Sequence, residues 1–405
     1  MTLKNKNILI TGISGFAGSW LSKHLLDKGS KIHGLIRRKA DGMRPKNLVD
    51  KGVVDEVSLI EGSLEDITSL AFALEESQPD IIFHLAAQSY VPRSFTHPLE
   101  TIDINCMGTT KLLEATRSKD IDPKIVFAGS SEEYGLVISS DEQYEKYKPV
   151  FPEPDRIPEL PVREENPLRP MSPYAVSKVY GDYIMRNYHR SYGMKTVVSR
   201  AFNHEGAGRG IMFVTSTITN QIMKLKFGEI DKIQIGDVGS FRDWSHVMDI
   251  VEGYCLLAEK GKDGDVYNQG SSRTNSVLSY ILLGLENAGF GVSRIETLKG
   301  DKVVDDPIFV DKSPMFGFGF DKTLVDSMML SGELSFEIAD KGIKVYTESG
   351  PVVVEFDPER FRPAEVPILM CDTSKIGKLG FENKYKLEDI IKSQLDYYLD
   401  AGNRL

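Results

Sequence analysis

The first 200 residues of the chain alternate short apolar runs with amphipathic stretches. The apolar runs cover residues 7–12, 31–38, 56–63, 80–87, 124–131 and 195–202, and helical patterns such as 19–29, 105–118 and 177–193 lie between most of them. Strands that are apolar along their whole length are typical of a parallel sheet covered by helices on both faces. We therefore predict an α/β fold with a doubly wound parallel sheet, in which ligands bind beyond the C-terminal ends of the strands.

The alternation loosens after about residue 203. A further strand at 231–237 and a helix at 247–261 are expected to return to the main sheet, whereas helices near 275–289 and 386–400 are expected in a smaller α/β lobe. The predicted domains are 1–202 plus about 231–262, and 203–230 plus about 263–405. Two insertions, 136–168 and 300–358, interrupt this plan, and alternating runs joined by Glu-Ser-Gly in the second one predict a hairpin.

Charge and cysteine content exclude several classes of protein. A net charge of −10 argues against a nucleic-acid partner. No apolar run approaches the about 18 residues needed to span a bilayer, and the first strand pattern begins too early to follow a signal peptide. Cys106, Cys255 and Cys371 are too far apart for a disulfide framework or a metal-binding motif. We expect a cytoplasmic protein with no membrane partner and no metal.

A glycine-rich turn joins the first strand to the first helix. Gly12, Gly15 and Gly18 follow the spacing GxxGxxG, a variant of the dinucleotide-binding pattern. Such glycines allow a tight turn and a close approach of the backbone to a pyrophosphate, which the helix N-terminus attracts. This turn predicts a dinucleotide site, although the same glycines could serve a structural turn alone.

The end of the second strand carries two arginines in place of a carboxylate. An acidic residue there usually binds the free ribose 2′-hydroxyl of NAD. Arg37 and Arg38 suit a 2′-phosphate instead, which favours NADP over NAD. Two solvated arginines are the alternative.

A tyrosine and a lysine lie one helical turn apart in the segment SPYAVSK, residues 172–178. A neighbouring ammonium, here that of Lys178, favours the phenolate of Tyr174 and so brings the tyrosine pKa towards a useful range for a base. Ser130 ends an apolar strand and supplies a hydroxyl. Together these side chains predict a proton acceptor for an alcohol that is oxidised to a ketone.

These motifs occur in the order found in the extended short-chain dehydrogenase/reductase family, which the chain resembles over nearly its whole length. Further similar segments are HLAAQS (84–89), GSSEEYG (129–135), FNHEGAGRG (202–210), RDWSHVMDIVEGY (242–254) and FRPAEV (361–366). Within that family the chain is most similar to GDP-mannose 4,6-dehydratases. The resemblance implies a Rossmann domain with a smaller substrate lobe and conversion of GDP-mannose to GDP-4-keto-6-deoxymannose, with internal hydride return through NADP.

The resemblance also implies residue roles. Ser130, Tyr174 and Lys178 would oxidise C4 of the sugar, and Glu132 would remove the C5 proton and protonate the departing C6 hydroxyl. Glu133 is expected to point the other way if the strand continues.

Binding roles follow from the same resemblance. The cofactor would contact Gly12, Ser14, Gly15, Phe16, Ala17, Gly18, Arg37, Arg38, Ser63, Leu64, Leu85, Ala86, Ala87, Ser89, Tyr174, Lys178, His204 and Arg209. The sugar nucleotide would contact Ser89, Glu132, Asn203, Phe213, Val214, Arg242, Arg362 and Glu365. Ser63 stands where the family commonly has an aspartate that meets the adenine.

Related activities stay open at this stage. A GDP-4-keto-6-deoxymannose reductase of the same family would consume NADPH, and a nucleotide-sugar epimerase would not need Glu132. A non-catalytic NADP-binding sensor would not need the tyrosine and lysine. The family resemblance further implies a homodimer or homotetramer, with the helices at 105–118 and 177–193 as candidate contact faces.

Overall fold

The computed structural model describes residues 2–38, 40, 42–148, 150–361 and 366–404. Its strands are β1 (Asn7–Thr11), β2 (Lys31–Ile36), β3 (Ser58–Glu61), β4 (Ile81–His84), β5 (Lys124–Ala128), β6 (Thr196–Ala201), β7 (Asn203–Glu205), β8 (Lys232–Ile235), β9 (Phe241–Arg242), β10 (Trp244–His246), β11 (Val266–Gln269), β12 (Asn275–Ser276), β13 (Val292–Thr297), β14 (Val303–Asp305), β15 (Val310–Asp311), β16 (Lys322–Thr323), β17 (Gly342–Thr347) and β18 (Val352–Phe356).

The α-helices follow the same chain order. They are α1 (Phe16–Asp27), α2 (Lys46–Asp50), α3 (Ile67–Ser77), α4 (Val91–Thr96), α5 (Pro98–Ile102), α6 (Gly108–Ser118), α7 (Asp141–Lys146), α8 (Pro173–Tyr192), α9 (Val214–Lys226), α10 (Val247–Lys260), α11 (Val277–Asn287), α12 (Leu324–Leu330), α13 (Ser374–Gly377) and α14 (Leu387–Tyr397). A π-helical turn, Asp103–Met107, leads into α6. None of the helices among the described residues is long and apolar enough to cross a lipid bilayer.

The main sheet has seven parallel strands in the order β11-β6-β5-β4-β1-β2-β3. Successive side chains alternate between its faces. Ile8 and Ile10 of β1 pack with α1 and α10 on one face, and Leu9 packs with α3, α6 and α8 on the other. The predicted doubly wound α/β fold is confirmed, and the order of strands reverses between β1 and β4, where such folds bind ligands.

The predicted strand at 231–237 does not join this sheet. Its ordered part, β8, pairs in parallel with β18 of a second sheet. Only Ile233 and Ile235 of β8 are buried, so the strand has the one-sided pattern of a sheet with a single core face. The seventh strand of the main sheet is instead β11, whereas the helix predicted at 247–261 does pack on the main sheet as α10.

The second sheet has the order β14-β13-β17-β18-β8. Its β17–β18 pair is the hairpin predicted from the sequence, with Val345 opposite Val352. Helices α9, α11 and α14 cover the sheet through a shared core that includes Ile222, Tyr280 and Ile391. Most of the insertion at 300–358 is therefore part of this lobe's own sheet and core.

The first insertion, 136–168, holds the short helix α7 and is attached to the body through buried polar groups. The Arg169 guanidinium donates to both carboxylate oxygens of Glu159 at 2.8 Å. The Glu164 carboxylate accepts the backbone N–H of Asn268 on β11 at 2.8 Å. The Arg169–Glu159 pair therefore closes the insertion on itself, since burying a charge is costly unless it is paired, and the Glu164 contact holds the insertion against the end of the main sheet.

Candidate active site

The glycine-rich turn lies at the centre of the C-terminal edge of the main sheet. Gly12 has φ +78°, and a Cβ there would lie 2.8 Å from the backbone nitrogen of Ala86 on the neighbouring strand end. A Cβ on Gly18 would lie 2.3 Å from the Gly12 carbonyl oxygen. Helix α1 begins at Phe16 with no side-chain cap, because its N-cap residue is Gly15. Open helical N–H groups beside a turn without side chains fit a pyrophosphate.

The remaining residues expected at the cofactor lie around this turn. Ser14 is exposed and Ala17 half-buried beside the start of α1, and Arg37 and Arg38 are exposed directly after β2. After β3, the backbone N–H of Ser63 donates to the Ser69 hydroxyl at 3.0 Å. Leu64, the next residue, is buried. Beyond β4, Leu85, Ala86 and Ala87 are half-buried and Ser89 is exposed.

Asn105, in the π-helical turn, fixes the segment after β4 and was not among the residues singled out from the sequence. Its amide exchanges two hydrogen bonds with the backbone of Gln88, at 2.8 and 3.0 Å. The same side chain donates to the Ser177 hydroxyl on α8 at 2.9 Å. An interruption of helical geometry at this point is a signal of function, but the sequence reads there as an ordinary amphipathic helix.

Tyr174, Lys178 and Ser130 meet at the tip of β5. Tyr174 and Lys178 are buried on α8, which Ser172 caps by accepting the Ala175 N–H. The Lys178 ammonium donates to the Ala128 carbonyl at 2.6 Å and lies 5.9 Å from the Tyr174 ring centroid. Burial raises the pKa of Tyr174 to about 12, and its hydrogen bond with Ser130 opposes that shift. Burial lowers the pKa of Lys178 to about 8.

The two glutamates after Ser131 diverge, but not by strand alternation. The strand ends at Ala128, and residues 131–133 form a single 3-10 turn that the Ser130 hydroxyl caps. Glu132 is half-buried near Tyr174, where its charge raises the tyrosine pKa. Glu133 is fully buried. The condition on which Glu133 was expected to point away, a continuing strand, is therefore not met, because the capping interactions begin a helical turn instead.

A stack of side chains connects the glycine-rich turn with the start of α9. The Arg209 guanidinium lies 5.3 Å from the Phe16 ring centroid and 3.5 Å from that of Phe213. The His204 ring stacks on Phe16 with 6.3 Å between the ring centroids, and burial lowers the pKa of His204 to about 4. The neutral imidazole and the cation–π contacts make this group a wall between the two lobes.

The predicted sugar-nucleotide residues are spread around this wall: Phe213 is part of it, Glu132 lies near Tyr174 and Ser89 follows β4. Asn203 pairs with Trp244 between β7 and β10, and Val214 begins α9. Arg242 is buried on β9, where its guanidinium donates to the carbonyl oxygens of Phe241 and Val366 at 2.9 and 2.7 Å. Arg362 and Glu365 lie outside the described residues.

No group of His, Cys, Asp or Glu side chains suited to a metal ion occurs within the part of the chain that the structure describes. The three cysteines are buried as free thiols.

Comparison with known proteins identifies the family. The family model described as GDP-mannose 4,6 dehydratase matches residues 9–306. The chain belongs to the GDP-mannose 4,6-dehydratase family. A GDP-mannose 4,6-dehydratase of Yersinia enterocolitica is 32% identical over 394 residues, which cover 95% of this chain and 91% of that relative. The family resemblance found in the sequence is therefore confirmed.

Solved structures show the same fold at lower identity. RMD from Pseudomonas aeruginosa, complexed with NADPH, is 21% identical with a TM-score of 0.66, and the match covers 97% of this chain and 99% of that one. UDP-glucose 4-epimerase from Bifidobacterium longum, in complex with NAD+ and UDP, is 21% identical with a TM-score of 0.70, covering 98% and 99%. These likenesses place the GDP-mannose 4,6-dehydratase family member in the extended short-chain dehydrogenase fold.

Proposed function

We propose that this protein is an NADP-dependent nucleotide-sugar 4,6-dehydratase that converts GDP-mannose to GDP-4-keto-6-deoxymannose. The observation that carries the proposal is the tip of β5, where a hydroxyl hydrogen-bonded to Tyr174 and a separate carboxylate, Glu132, stand side by side. Oxidation alone needs the first of these groups. Elimination of water needs the second as well.

Tyr174 is the proposed base for the sugar C4 hydroxyl. Ser130 would hold that sugar hydroxyl by a hydrogen bond. The Lys178 ammonium would stabilise the Tyr174 phenolate, which takes the proton of the C4 hydroxyl. Bound NADP would supply the hydride acceptor for C4 and the hydride donor for C6. The cofactor therefore stays with the protein through each turnover, and one molecule serves many.

Glu132 is the proposed acid and base for elimination. A ketone at C4 makes the C5 proton acidic, because the carbanion delocalises into the carbonyl. The Glu132 carboxylate removes that proton and then donates it to the C6 hydroxyl, which leaves as water. The proton that Tyr174 took from the C4 hydroxyl would return to C5 as hydride is delivered to C6, so the net change is the loss of one water molecule.

The glycine-rich turn and the open start of α1 would hold the cofactor pyrophosphate. Arg37 and Arg38 would bind the 2′-phosphate, which is the basis for proposing NADP. The wall formed by Phe16, His204, Arg209 and Phe213 would separate the cofactor from the nucleotide of the substrate. The other cofactor contacts named from the sequence belong to the same proposal.

Substrate recognition is proposed for the opposite side of the wall. Arg242, with Arg362 and Glu365, would hold the GDP moiety, and Asn203 and Ser89 would meet the sugar or its phosphates. Phe213 and Val214 would line the approach at the start of α9. A buried arginine can neutralise a diphosphate more effectively than an exposed one, since the low dielectric strengthens the attraction.

The organisation of the molecule forms part of the proposal. The domain division of 1–202 plus about 231–262, and of 203–230 plus about 263–405, is proposed with the exception of β8, which pairs with the second sheet. A homodimer or homotetramer is proposed, with α6 and α8 as contact faces. Free buried thiols support a cytoplasmic location, where cysteines stay reduced.

The test is mass spectrometry of GDP-mannose incubated with the protein and substoichiometric NADP. We expect a product lighter by one water, in many-fold excess over cofactor. A product that forms only with stoichiometric NADPH from the 4-keto-6-deoxy sugar would instead indicate a reductase. A product of unchanged mass that chromatography separates from GDP-mannose would indicate an epimerase, and absence of any conversion of sugar nucleotides would indicate a binding protein.

The Glu132→Gln variant tests the assigned step. We expect loss of dehydration with one equivalent of NADPH accumulating, because oxidation at C4 still occurs but elimination does not follow. Glu153→Gln, which alters an exposed carboxylate of the first insertion, is the control and should behave as wild type. Dehydration by Glu132→Gln at the wild-type rate would remove Glu132 from the mechanism.

A further inference from the structure

A second carboxylate, Glu133, lies beneath the β5 tip and is not used in the reaction proposed above. Its side chain has no solvent exposure. Oxygen Oε1 accepts the backbone N–H of Ser130 at 2.8 Å, while the Ser130 hydroxyl accepts the N–H of Glu132 at 3.2 Å. Glu133 therefore holds the backbone of the residue whose hydroxyl contacts Tyr174.

The niche around Glu133 depends on a glycine. A Cβ on Gly129 would lie 2.6 Å from Glu133 Oε1 and 2.9 Å from the Ser199 carbonyl oxygen. Any side chain at Gly129 would thus displace the carboxylate from the Ser130 N–H. The other oxygen, Oε2, lies 3.3 Å from Nε of Arg200 in an ion pair and makes no hydrogen bond to the described residues.

Helix α8 presents one row of functional groups to this niche. Tyr174, Lys178, Asp182 and Arg186 follow one another at intervals of four residues, so they lie on one face of the helix. Asp182 accepts from Nε of Arg200 at 2.9 Å and from Nε of Arg186 at 2.6 Å. A series of charged groups therefore runs along α8 from the tyrosine to Arg186, whose side chain is 31% exposed.

Other charged or titratable groups lie near this series: Glu132 and Arg209 act on Tyr174, Glu164 acts on Tyr134, and Tyr174 acts on Tyr254. The charges of Lys178 and Asp182 on α8 and of Arg200 on β6 act on Glu133. The charge of Glu133 acts on Tyr174 and on Tyr134, which follows the same turn. Lys178 also interacts with Cys106 of the π-helical turn and with His84 of β4. Burial and the charge of Asp182 raise the pKa of Glu133 to about 8. Burial lowers the pKa of Lys178 to about 8, and the charge of Glu133 opposes that change.

We propose that Glu133 is a positioning residue for the dehydratase reaction: it seats Ser130 through the backbone N–H, and its ionised form, which grows as the pH rises past neutrality, provides the counter-charge that keeps Lys178 an ammonium beside Tyr174. The inference rests on the proposed function, since it assigns Glu133 to the same reaction. Glu133 acts through Ser130 and Lys178 and does not need to touch the sugar. The effect is electrostatic as well as geometric, because the niche excludes water and charges interact strongly there.

The Glu133→Gln variant separates the two parts of this role. The amide oxygen can still accept the Ser130 N–H, but the negative charge is lost. In the NADP-bound full chain labelled with ¹³C at lysine Cε, we expect the titration midpoint of Lys178 to fall by about one pH unit. The alkaline limit of kcat should move down with it. An unchanged midpoint would overturn the proposal; the Lys178 resonance is assigned by its absence in Lys178→Arg.

Asp182→Asn is expected to shift the Lys178 titration midpoint in the opposite direction. This variant tests the proposal if Glu133→Gln does not fold. Removing the charge of Asp182 lowers the pKa of Glu133, so Glu133 carries more negative charge near neutral pH. The Lys178 midpoint should then rise, and a fall would contradict the proposal. Tyr174 remains in place in both variants, so NADP binding checks that the site is assembled.

Glu159→Gln is the matched control, since Glu159 is also buried, also pairs with an arginine and also accepts a backbone N–H. It should lower the melting temperature without moving the Lys178 midpoint. The NMR titration needs no turnover. If wild type does not dehydrate GDP-mannose, the proposed function fails, while the midpoints of the variants still decide the role of Glu133 towards Lys178.

Discussion

At the scale of single residues, the most informative side chains are those whose surroundings move the pKa away from the usual value for that residue type. Tyr174 is the candidate base, yet in the protein alone its pKa is raised, mainly by burial, to about 12, above the range of a working base. The hydrogen bond from Ser130 favours the phenolate, and any further positive charge brought beside the ring acts in the same direction. Whether Tyr174 is a phenolate during the reaction therefore depends on the site with cofactor and substrate bound.

Arg37 and Arg38 carry the first residue-scale prediction. The double change Arg37→Ala with Arg38→Ala should weaken NADP binding by about 10- to 100-fold, since a charge-assisted hydrogen bond contributes about 1.5–3 kcal/mol. NAD binding should change little, because NAD lacks the 2′-phosphate. Isothermal titration calorimetry with both cofactors measures the two dissociation constants.

The control for that experiment is Arg294→Ala, an arginine of the second lobe paired with Asp305 at 3.7 Å. It should leave both dissociation constants unchanged. If wild type binds NAD more tightly than NADP, the proposed cofactor is wrong. If the double variant loses affinity for both cofactors equally, the arginines serve the fold of the loop and not the phosphate.

At the scale of elements, the strand–turn–helix unit of β1 and α1 depends on close backbone packing. Gly18→Ala would place a Cβ 2.3 Å from the Gly12 carbonyl oxygen and 2.8 Å from Cα of Ile13. Neither backbone atom can move without opening the turn. We expect NADP affinity to fall at least about 10-fold and the melting temperature to drop by several degrees, since strain of this kind costs about 1–3 kcal/mol.

Gly377→Ala provides the comparison for this change. Gly377 ends the short helix α13, and no atom lies within 4 Å of the position that its Cβ would occupy. Calorimetry and cofactor titration should show wild-type behaviour or slightly higher stability, because alanine is the better helix former. Equal effects at Gly18 and Gly377 would mean that the turn tolerates a side chain.

At the scale of the whole molecule, the outer side of α8 and the neighbouring α5 carry apolar side chains that are largely exposed among the described residues. Val176 is 51% exposed, Tyr183 56% and Leu99 of α5 75%. Contiguous apolar surface of this kind marks interaction sites. It supports the proposal that two copies of the chain pair through these helices.

Tyr183→Glu should therefore convert the oligomer to a smaller species. A glutamate there can pair with Arg186 three residues later, so the helix itself keeps its stability. Light scattering on a sizing column measures the molar mass at a fixed concentration. Phe309→Asp, at a 66% exposed residue of the second lobe, is the control and should not change the mass. A monomeric wild type would contradict the proposed assembly.

The sequence by itself determined the parts of this protein that depend on short-range pattern. Continuous apolar strands between amphipathic helices specify a parallel sheet, and glycines at positions 12, 15 and 18 specify the turn. Tyr174 and Lys178 meet because helical spacing places them one turn apart. In each case the physical cause lies within a few residues of the chain, and the structure agrees with the prediction.

Tertiary structure alone decided the features that depend on partners far along the chain. Strand β11 carries two buried polar residues, so it shows no apolar pattern in the sequence. The Asn268 amide accepts from the Tyr134 hydroxyl and donates to the Val162 carbonyl, and Nε2 of Gln269 donates to the Ser199 hydroxyl. Strand β8 finds its partner in β18, more than 100 residues later. Asn105 meets Ser177, and Glu133 meets Arg200, only after the sheet has formed. Such contacts arise from the packing of whole elements, and no local pattern of residues encodes them.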